Sequence, residues 1–131
     1  MAGELILIVE DNEKNRKLVR DVLQFKGYQT VECETGEEGI RLARERGPAL
    51  VLMDIQLPGM NGIEALGHLR ADPQTRDIPV IAVTASAMTH DRQKILAAGF
   101  DGYQPKPIAV KDFLAAEGAM LDRGRPARDT R

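Results

Sequence analysis

Five apolar residues run directly into a lone carboxylate in the stretch Ala49-Leu50-Val51-Leu52-Met53-Asp54. Gly-Pro precedes this run and Pro-Gly follows it shortly after, so turn-forming residues bound it on both sides. An unbroken apolar run of this length is typical of a central parallel strand that is covered on both faces. The pattern therefore predicts a strand with Asp54 at its carboxyl end, which is the end where open α/β sheets bind ligands.

Length and composition narrow the class of protein. A chain of 131 residues is expected to form one domain with a sufficient apolar core. The single cysteine, Cys33, excludes an internal disulfide and favours a reducing, cytoplasmic setting. The longest apolar runs have five residues, which is too short to span a membrane, and a net charge of −2 gives no general argument for nucleic-acid binding.

Apolar runs and helical patterns alternate along the chain. Asn12, Thr35 and Asn61 are predicted N-caps, and a stripe of apolar residues at positions 18, 19, 22 and 23 predicts the buried side of the first helix. The pattern indicates an α/β fold, a doubly wound parallel sheet of five strands with five helices. Predicted strands cover residues 4–9, 28–33, 49–54, 78–83 and 101–104, and predicted helices cover about 13–25, 35–46, 61–70, 88–98 and 110–121. Residues 122–131 contain four arginines and two aspartates and are expected to form a disordered basic tail.

Polar residues stand at the predicted ends of four strands. Glu10 and Asp11 follow the first strand, and Asp54 ends the third. Thr84 follows the fourth strand and Lys106 the fifth, so in a parallel sheet all five residues meet at one edge. Clustered carboxylates repel one another unless a hard cation with oxygen ligands holds them, and Mg²⁺ with a phosphoryl group suits this set. A lysine and a hydroxyl are suitable partners for phosphoryl oxygens.

Each of these residues also has a purely structural interpretation. An acidic pair such as Glu10-Asp11 often forms only a solvated turn that caps a helix, and Asp54 can end a strand because of its turn chemistry. Thr84 or Lys106, taken alone, is an even weaker indication of a functional site. The coincidence of five such residues at predicted strand ends favours a joint function.

These residues lie in motifs that resemble the receiver domain of two-component response regulators. The motifs are IVEDN at 8–12, LMDIQLP at 52–58 with Gly62, VTA at 83–85 and KP at 106–107. The similarity covers about residues 4–121 and is strongest to DivK-type single-domain regulators and to the receivers of hybrid kinases. It implies a flavodoxin-like fold with strand order 2-1-3-4-5 and a receiver (response regulatory) domain over residues 1–121.

The resemblance also implies a role for each site residue. Asp54 corresponds to the phosphoacceptor, and Glu10, Asp11, Asp54 and the backbone carbonyl of Gln56 correspond to the Mg²⁺ ligands. Thr84 and Lys106 correspond to the residues that engage the phosphoryl group. Tyr103 corresponds to the aromatic residue of the switch, which works together with Thr84. Pro105 departs from the family pattern and removes a backbone donor beside Lys106.

We therefore expect a phosphorylation-dependent signalling switch. The implied partners are a sensor histidine kinase or a histidine phosphotransfer protein, and a downstream protein target that the domain contacts directly. No DNA-binding output domain, no membrane contact and no enzyme activity beyond self-phosphorylation and self-dephosphorylation are expected. The alternative is a Mg²⁺-dependent phosphohydrolase that works through an aspartyl-phosphate, although Gln56 stands where such an enzyme needs a second carboxylate. A third hypothesis, an adaptor that is never phosphorylated, does not explain why the complete set of site residues is present.

Overall fold

The computed structural model describes residues 3–84 and 89–105, with the backbone alone at 89–92 and 105. Strands and helices alternate through these residues, as the sequence predicts, in five strands and four helices. The fifth predicted helix, at 110–121, and the predicted basic tail lie outside the described residues. In chain order the elements are β1 (Leu5–Val9), α1 (Glu13–Phe25), β2 (Gln29–Cys33), α2 (Gly36–Arg46), β3 (Leu50–Asp54), α3 (Gly62–Ala71), β4 (Val80–Thr84), α4 (Thr89–Ala97) and β5 (Gly102–Pro105).

The strands form one parallel sheet in the order β2-β1-β3-β4-β5. This confirms the predicted flavodoxin-like order. The direction of winding reverses between β1 and β3, because β1 connects to β2 on one side while β3 leads to β4 and β5 on the other. That reversal opens a crevice at the carboxyl ends of β1 and β3.

Alternating side chains of the strands build two separate cores, one on each face of the sheet. Leu7, Val9, Val51 and Met53 belong to the core that also contains residues of α2, α3 and α4. Their neighbours along the strands, including Ile8 and Leu52, belong to the other core together with residues of α1. Every residue of β3 and β4 is buried, which is why these two strands appear in the sequence as continuous apolar runs.

The predicted N-caps are confirmed. The Asn12 side chain accepts a hydrogen bond from Asn15 N at 3.0 Å, and Thr35 Oγ1 accepts one from Glu38 N at 3.2 Å. At α3 the cap is reciprocal, because the Asn61 side chain and the Glu64 side chain each accept from the other residue's backbone. These caps fix where α1, α2 and α3 begin after the loops at the carboxyl edge.

Several details differ from the sequence prediction. Leu18 is 40% exposed, so its place in the buried stripe of α1 is wrong, whereas Val19 and Leu23 are buried as predicted. β4 begins at Val80 and not at residue 78, because Ile78 N donates to Thr75 O in a turn. Pro105 belongs to β5, whereas the predicted fifth strand ends at residue 104. β5 is an edge strand, and such a strand tolerates a residue that lacks a backbone N–H.

An arginine clamp joins α3 to the amino ends of β4 and β5, at the sheet edge opposite Asp54. Arg70 Nη2 donates to Asp101 Oδ2 at 2.8 Å, and Nη1 donates to Ile78 O at 2.8 Å. Asp101 Oδ2 also accepts from Val80 N at 2.9 Å. The clamp holds the α4–β5 connection against the rest of the fold.

Cys33 is the last residue of β2 and is buried, as expected for a structural thiol. Burial raises the pKa of its thiol to about 12, so the residue stays protonated near neutral pH. Among the helices of residues 3–84 and 89–105, none has the length and apolar character needed to cross a bilayer.

Candidate functional site

Glu10 and Asp54 lie side by side at the carboxyl edge of the sheet. The parallel register pairs Val9 with Met53, so the next position on each strand places Glu10 opposite Asp54. Both side chains are almost fully buried, with 4% of Glu10 and 2% of Asp54 exposed. The strand-end prediction for these two carboxylates is therefore confirmed.

Asp11 completes a group of three carboxylates. One carboxylate oxygen from each of Glu10, Asp11 and Asp54 lies within 4.8 Å of the others, and Asp11 is the exposed member. Oxygen ligands from two buried residues and one exposed residue fit a hard divalent cation that keeps part of its water shell. The site thus has the donor set for Mg²⁺ that the sequence predicts.

Local hydrogen bonds orient the buried carboxylates. Glu10 Oε2 accepts from Asn12 N at 3.1 Å, and Asp54 Oδ1 accepts from Gln56 N at 3.0 Å. The Glu10 backbone N–H donates to Cys33 O at 3.1 Å, which extends the β1–β2 ladder by one residue beyond the strand. Both side chains are therefore held by the loops that follow their own strands.

Gly62 packs closely against the end of β3 and the residue that follows it. Its N–H donates to Ile55 O at 3.0 Å at the start of α3. A Cβ at this position would clash with the carbonyl oxygen of Asp54 and lie 2.9 Å from Ile55 Cα. Only glycine allows α3 to begin this close to Asp54.

Arg16 contacts the site in a way that sequence reasoning missed. Its Nη1 donates to the backbone oxygen of Glu10 at 2.9 Å, and its Nε donates to Glu32 Oε1 at 3.0 Å. Helix position gives no specific signal for this contact, because Lys14 places another cation even closer to the positive end of the α1 dipole. The contact becomes visible only in the folded structure, where α1 brings Arg16 next to Glu10 and Glu32.

Thr84 and Tyr103 lie on neighbouring strands next to the carboxylates. Thr84 ends β4, is 2% exposed, and follows Val83, which is paired with Asp54. Tyr103 is paired with Ala82, two residues before Thr84, and packs at half burial against the core on that face. Strand alternation therefore places Thr84 and Tyr103 on the same side of the sheet.

Two predicted site residues are less fully described. Gln56 is exposed in the loop after β3, and its role as a metal ligand through its backbone carbonyl stays a prediction. Lys106 lies outside the described residues, as do residues 85–88. Its neighbour Pro105 is described and is paired with Thr84 at the end of β5.

Comparison with known proteins agrees with this geometry. Residues 6–117 match the family model of the response regulator receiver domain. The DivK polar-differentiation response regulators of Brucella ovis and Brucella suis are each 49% identical to this chain over 109 residues. The matched region covers 83% of this chain and 89% of each relative.

Solved structures show the same architecture. The receiver domain of the Pseudomonas aeruginosa sensor histidine kinase PA1611 superposes with a TM-score of 0.85 at 32% identity, covering 92% of this chain and 99% of that one. That protein was solved with a magnesium ion coordinated in its active-site cleft. A CheY-like receiver domain from Methanospirillum hungatei has a TM-score of 0.81 at 31% identity, with 92% and 95% of the two chains covered. The chain belongs to the response-regulator receiver-domain family.

Proposed function

We propose that Asp54 accepts a phosphoryl group from the phosphohistidine of a histidine kinase or phosphotransfer protein. The observation that carries the proposal is the position of Asp54, a buried carboxylate at a strand end within 4.8 Å of the carboxylate oxygens of Glu10 and Asp11. A magnesium ion in the solved PA1611 receiver domain supports the same ion here. Glu10, Asp11, Asp54 and the Gln56 carbonyl would hold it.

The transfer of the phosphoryl group needs no reagent other than the phosphohistidine, Asp54 and a proton. A carboxylate oxygen of Asp54 attacks phosphorus while the bond from phosphorus to the histidine nitrogen breaks, and that nitrogen keeps the electron pair and takes up a proton. When bound, Mg²⁺ supplies charge neutralisation for the phosphoryl oxygens. Burial of Asp54 keeps bulk water away from the attacking oxygen, and its bond from Gln56 N fixes the orientation of the carboxylate.

Thr84 and Lys106 are the proposed partners of the transferred group. Thr84 offers a hydroxyl next to Asp54, and Lys106 follows the last residue of β5 in the sequence. Phosphorylation adds close to two negative charges, and a hydroxyl and an ammonium can bind the new oxygens. When Thr84 turns towards the phosphoryl group, space opens on the face of the sheet that it shares with Tyr103.

The output of the switch is a protein contact. Rotation of Tyr103 would change the surface of β4, α4 and β5, and a downstream protein would bind the two states differently. Gln56 places an amide where a phosphohydrolase has a second carboxylate, so we expect no enzyme activity beyond self-phosphorylation and slow self-dephosphorylation. Histidine kinases phosphorylate such domains in the cytoplasm, where we expect this chain to act.

Incubation with a small phosphodonor and Mg²⁺, followed by intact-mass measurement, tests this function. We expect a gain of one phosphoryl group, which requires Mg²⁺ and is absent from Asp54→Asn. Lys17→Ala is a suitable control because Lys17 pairs with Asp21 on the exposed side of α1. A gain of equal size in Asp54→Asn would refute Asp54 as the acceptor.

A further inference from the structure

Arg16 forms a bridge between the metal site and the end of β2. Its side chain is only 14% exposed, and it joins the Glu10 carbonyl oxygen at 2.9 Å to the Glu32 carboxylate at 3.0 Å. Arg20 Nη1 contacts the same Glu32 carboxylate at 3.2 Å, so Glu32 is itself fixed from a second side. The guanidinium is therefore held in one orientation towards the site.

The placement of this cation has two electrostatic costs. Arg16 lies near the start of α1, close to the positive end of the helix dipole. It also brings a positive charge close to a site that is expected to bind a divalent cation, and this repulsion lowers the affinity for the ion. The ion pair with Glu32 offsets part of these costs, and the bond to the Glu10 carbonyl oxygen is a second contact that charge pairing alone does not require.

The benefit is control of the Glu10 peptide. The Glu10 N–H donates to Cys33 O, its side-chain Oε2 accepts from Asn12 N, and its carbonyl accepts from Arg16. The carbonyl belongs to the peptide bond that leads into Asp11, so the Arg16 bond fixes the link between two carboxylates of the site. Without it, one end of that peptide loses its anchor.

We propose that Arg16 is a positioning residue that sets the Mg²⁺ affinity of the site by fixing the Glu10–Asp11 peptide. The inference rests on the proposed function, since it assumes that these carboxylates bind the ion. Groups that orient metal ligands from behind commonly change metal affinity when they are replaced. Loss of the positioning contact should lower the Mg²⁺ affinity, whereas loss of the positive charge should raise it. The two effects can therefore be told apart by measuring the affinity.

Isothermal titration of the full chain with MgCl₂ tests the proposal, using the variants Arg16→Ala, Arg16→Lys and Lys17→Ala. If Arg16 acts by position, Arg16→Ala weakens Mg²⁺ binding by about tenfold, and Arg16→Lys also weakens it because a lysine cannot bridge both acceptors in one plane. If the residue acts only through charge, Arg16→Ala tightens binding and Arg16→Lys leaves it unchanged. Lys17→Ala removes a neighbouring cation that does not touch the site, and its affinity should match the wild type.

A second measurement separates positioning from general stability. Amide exchange of Asn12, whose N–H donates to Glu10 Oε2, should be faster in chelator in both Arg16 variants, while exchange in the β3 core stays slow. If Arg16→Ala does not fold, Arg16→Lys decides alone. Wild-type affinity in both variants would overturn the inference and leave the proposed function intact, whereas absence of Mg²⁺ binding by the wild type would overturn both.

Discussion

Gly62 packs directly against the backbone of Asp54. A Cβ added at Gly62 would clash with the Asp54 carbonyl oxygen and lie 3.1 Å from the carbonyl carbon. The start of α3 thereby supports the end of β3, where the proposed phosphoacceptor lies, and the Gly62 N–H bond to Ile55 O fixes the distance between the helix and the strand end. Placement of Asp54 depends on a glycine eight positions later in the chain.

Gly62→Ala should disturb this contact. We expect a loss of about 2 kcal/mol in the free energy of unfolding from overpacking against backbone atoms. Phosphorylation should slow by roughly a hundredfold if the Asp54 carboxylate moves by an ångström. Urea melts and the intact-mass time course measure the two effects.

Gly67→Ala provides the matched control in the same helix. A Cβ at Gly67 has no neighbour within 4 Å, so the substitution should stabilise α3 by about 0.5–1 kcal/mol and leave phosphorylation unchanged. If the two alanine variants have the same stability and the same phosphorylation rate, the packing of Gly62 against Asp54 determines neither property.

The Arg70–Asp101 pair should contribute far more to stability than a similar pair on the surface. Arg70→Met leaves a carboxylate that is 3% exposed without its cation, and we expect a loss of about 3 kcal/mol. Arg44 forms an Arg–Asp pair with Asp72 at 2.7 Å, but its side chain is 52% exposed. Arg44→Met should therefore unfold close to the wild-type urea midpoint. Similar losses in the two variants would contradict a special role for the clamp.

Removal of the metal should expose repulsion among the clustered carboxylates. In chelator, Asp11→Asn should raise the free energy of unfolding by about 1 kcal/mol, because one of three neighbouring charges is removed. Added MgCl₂ should raise the wild-type midpoint through binding to the folded state and change the variant little. Urea melts in both conditions are the measurement, and a less stable Asp11→Asn in chelator would identify Asp11 as a structural residue.

Helix α4 should respond most to phosphorylation. Ile95 is the one buried side chain among residues 93–97, and Leu96 is 40% exposed, so few apolar contacts hold this part of the helix. We expect amide exchange to change most over residues 89–105 and little in α2. Thr84→Ala should abolish this change while Asp54 is still modified. Changes confined to the loops after β1 and β3 would mean that the domain passes its phosphoryl group on without a conformational output.

The parts of the site that depend on strand ends were predictable from the sequence. The buried strands appear as apolar runs, and a parallel sheet brings their carboxyl ends to one edge, so Glu10 and Asp54 could be placed together without coordinates. Asn61 followed by Glu64 three residues later is a capping-box pattern, and it likewise predicts the start of α3. These features depend on local sequence and on one topological rule.

Features that depend on how helices lie across the sheet were not predictable. Arg16 reaches Glu32 because of the path of α1 over β2, and a residue separation of 16 gives no sign of that contact. The same path turns Val19 and Leu23 towards the sheet and leaves Leu18 partly in solvent. The apolar stripe predicted from the sequence therefore included one residue too many on this side. Tertiary packing, and not helical periodicity, decides which edge of such a stripe is buried.

Chemical mapping of the phosphoryl group tests the central claim most directly. Borohydride reduces an aspartyl-phosphate to homoserine, so phosphorylated protein can be reduced, digested and sequenced by mass spectrometry. We predict homoserine at position 54 only after incubation with Mg²⁺ and phosphodonor, and unchanged aspartate at position 11. Homoserine at another position, or a phosphoryl group that survives reduction without any homoserine, would contradict the account.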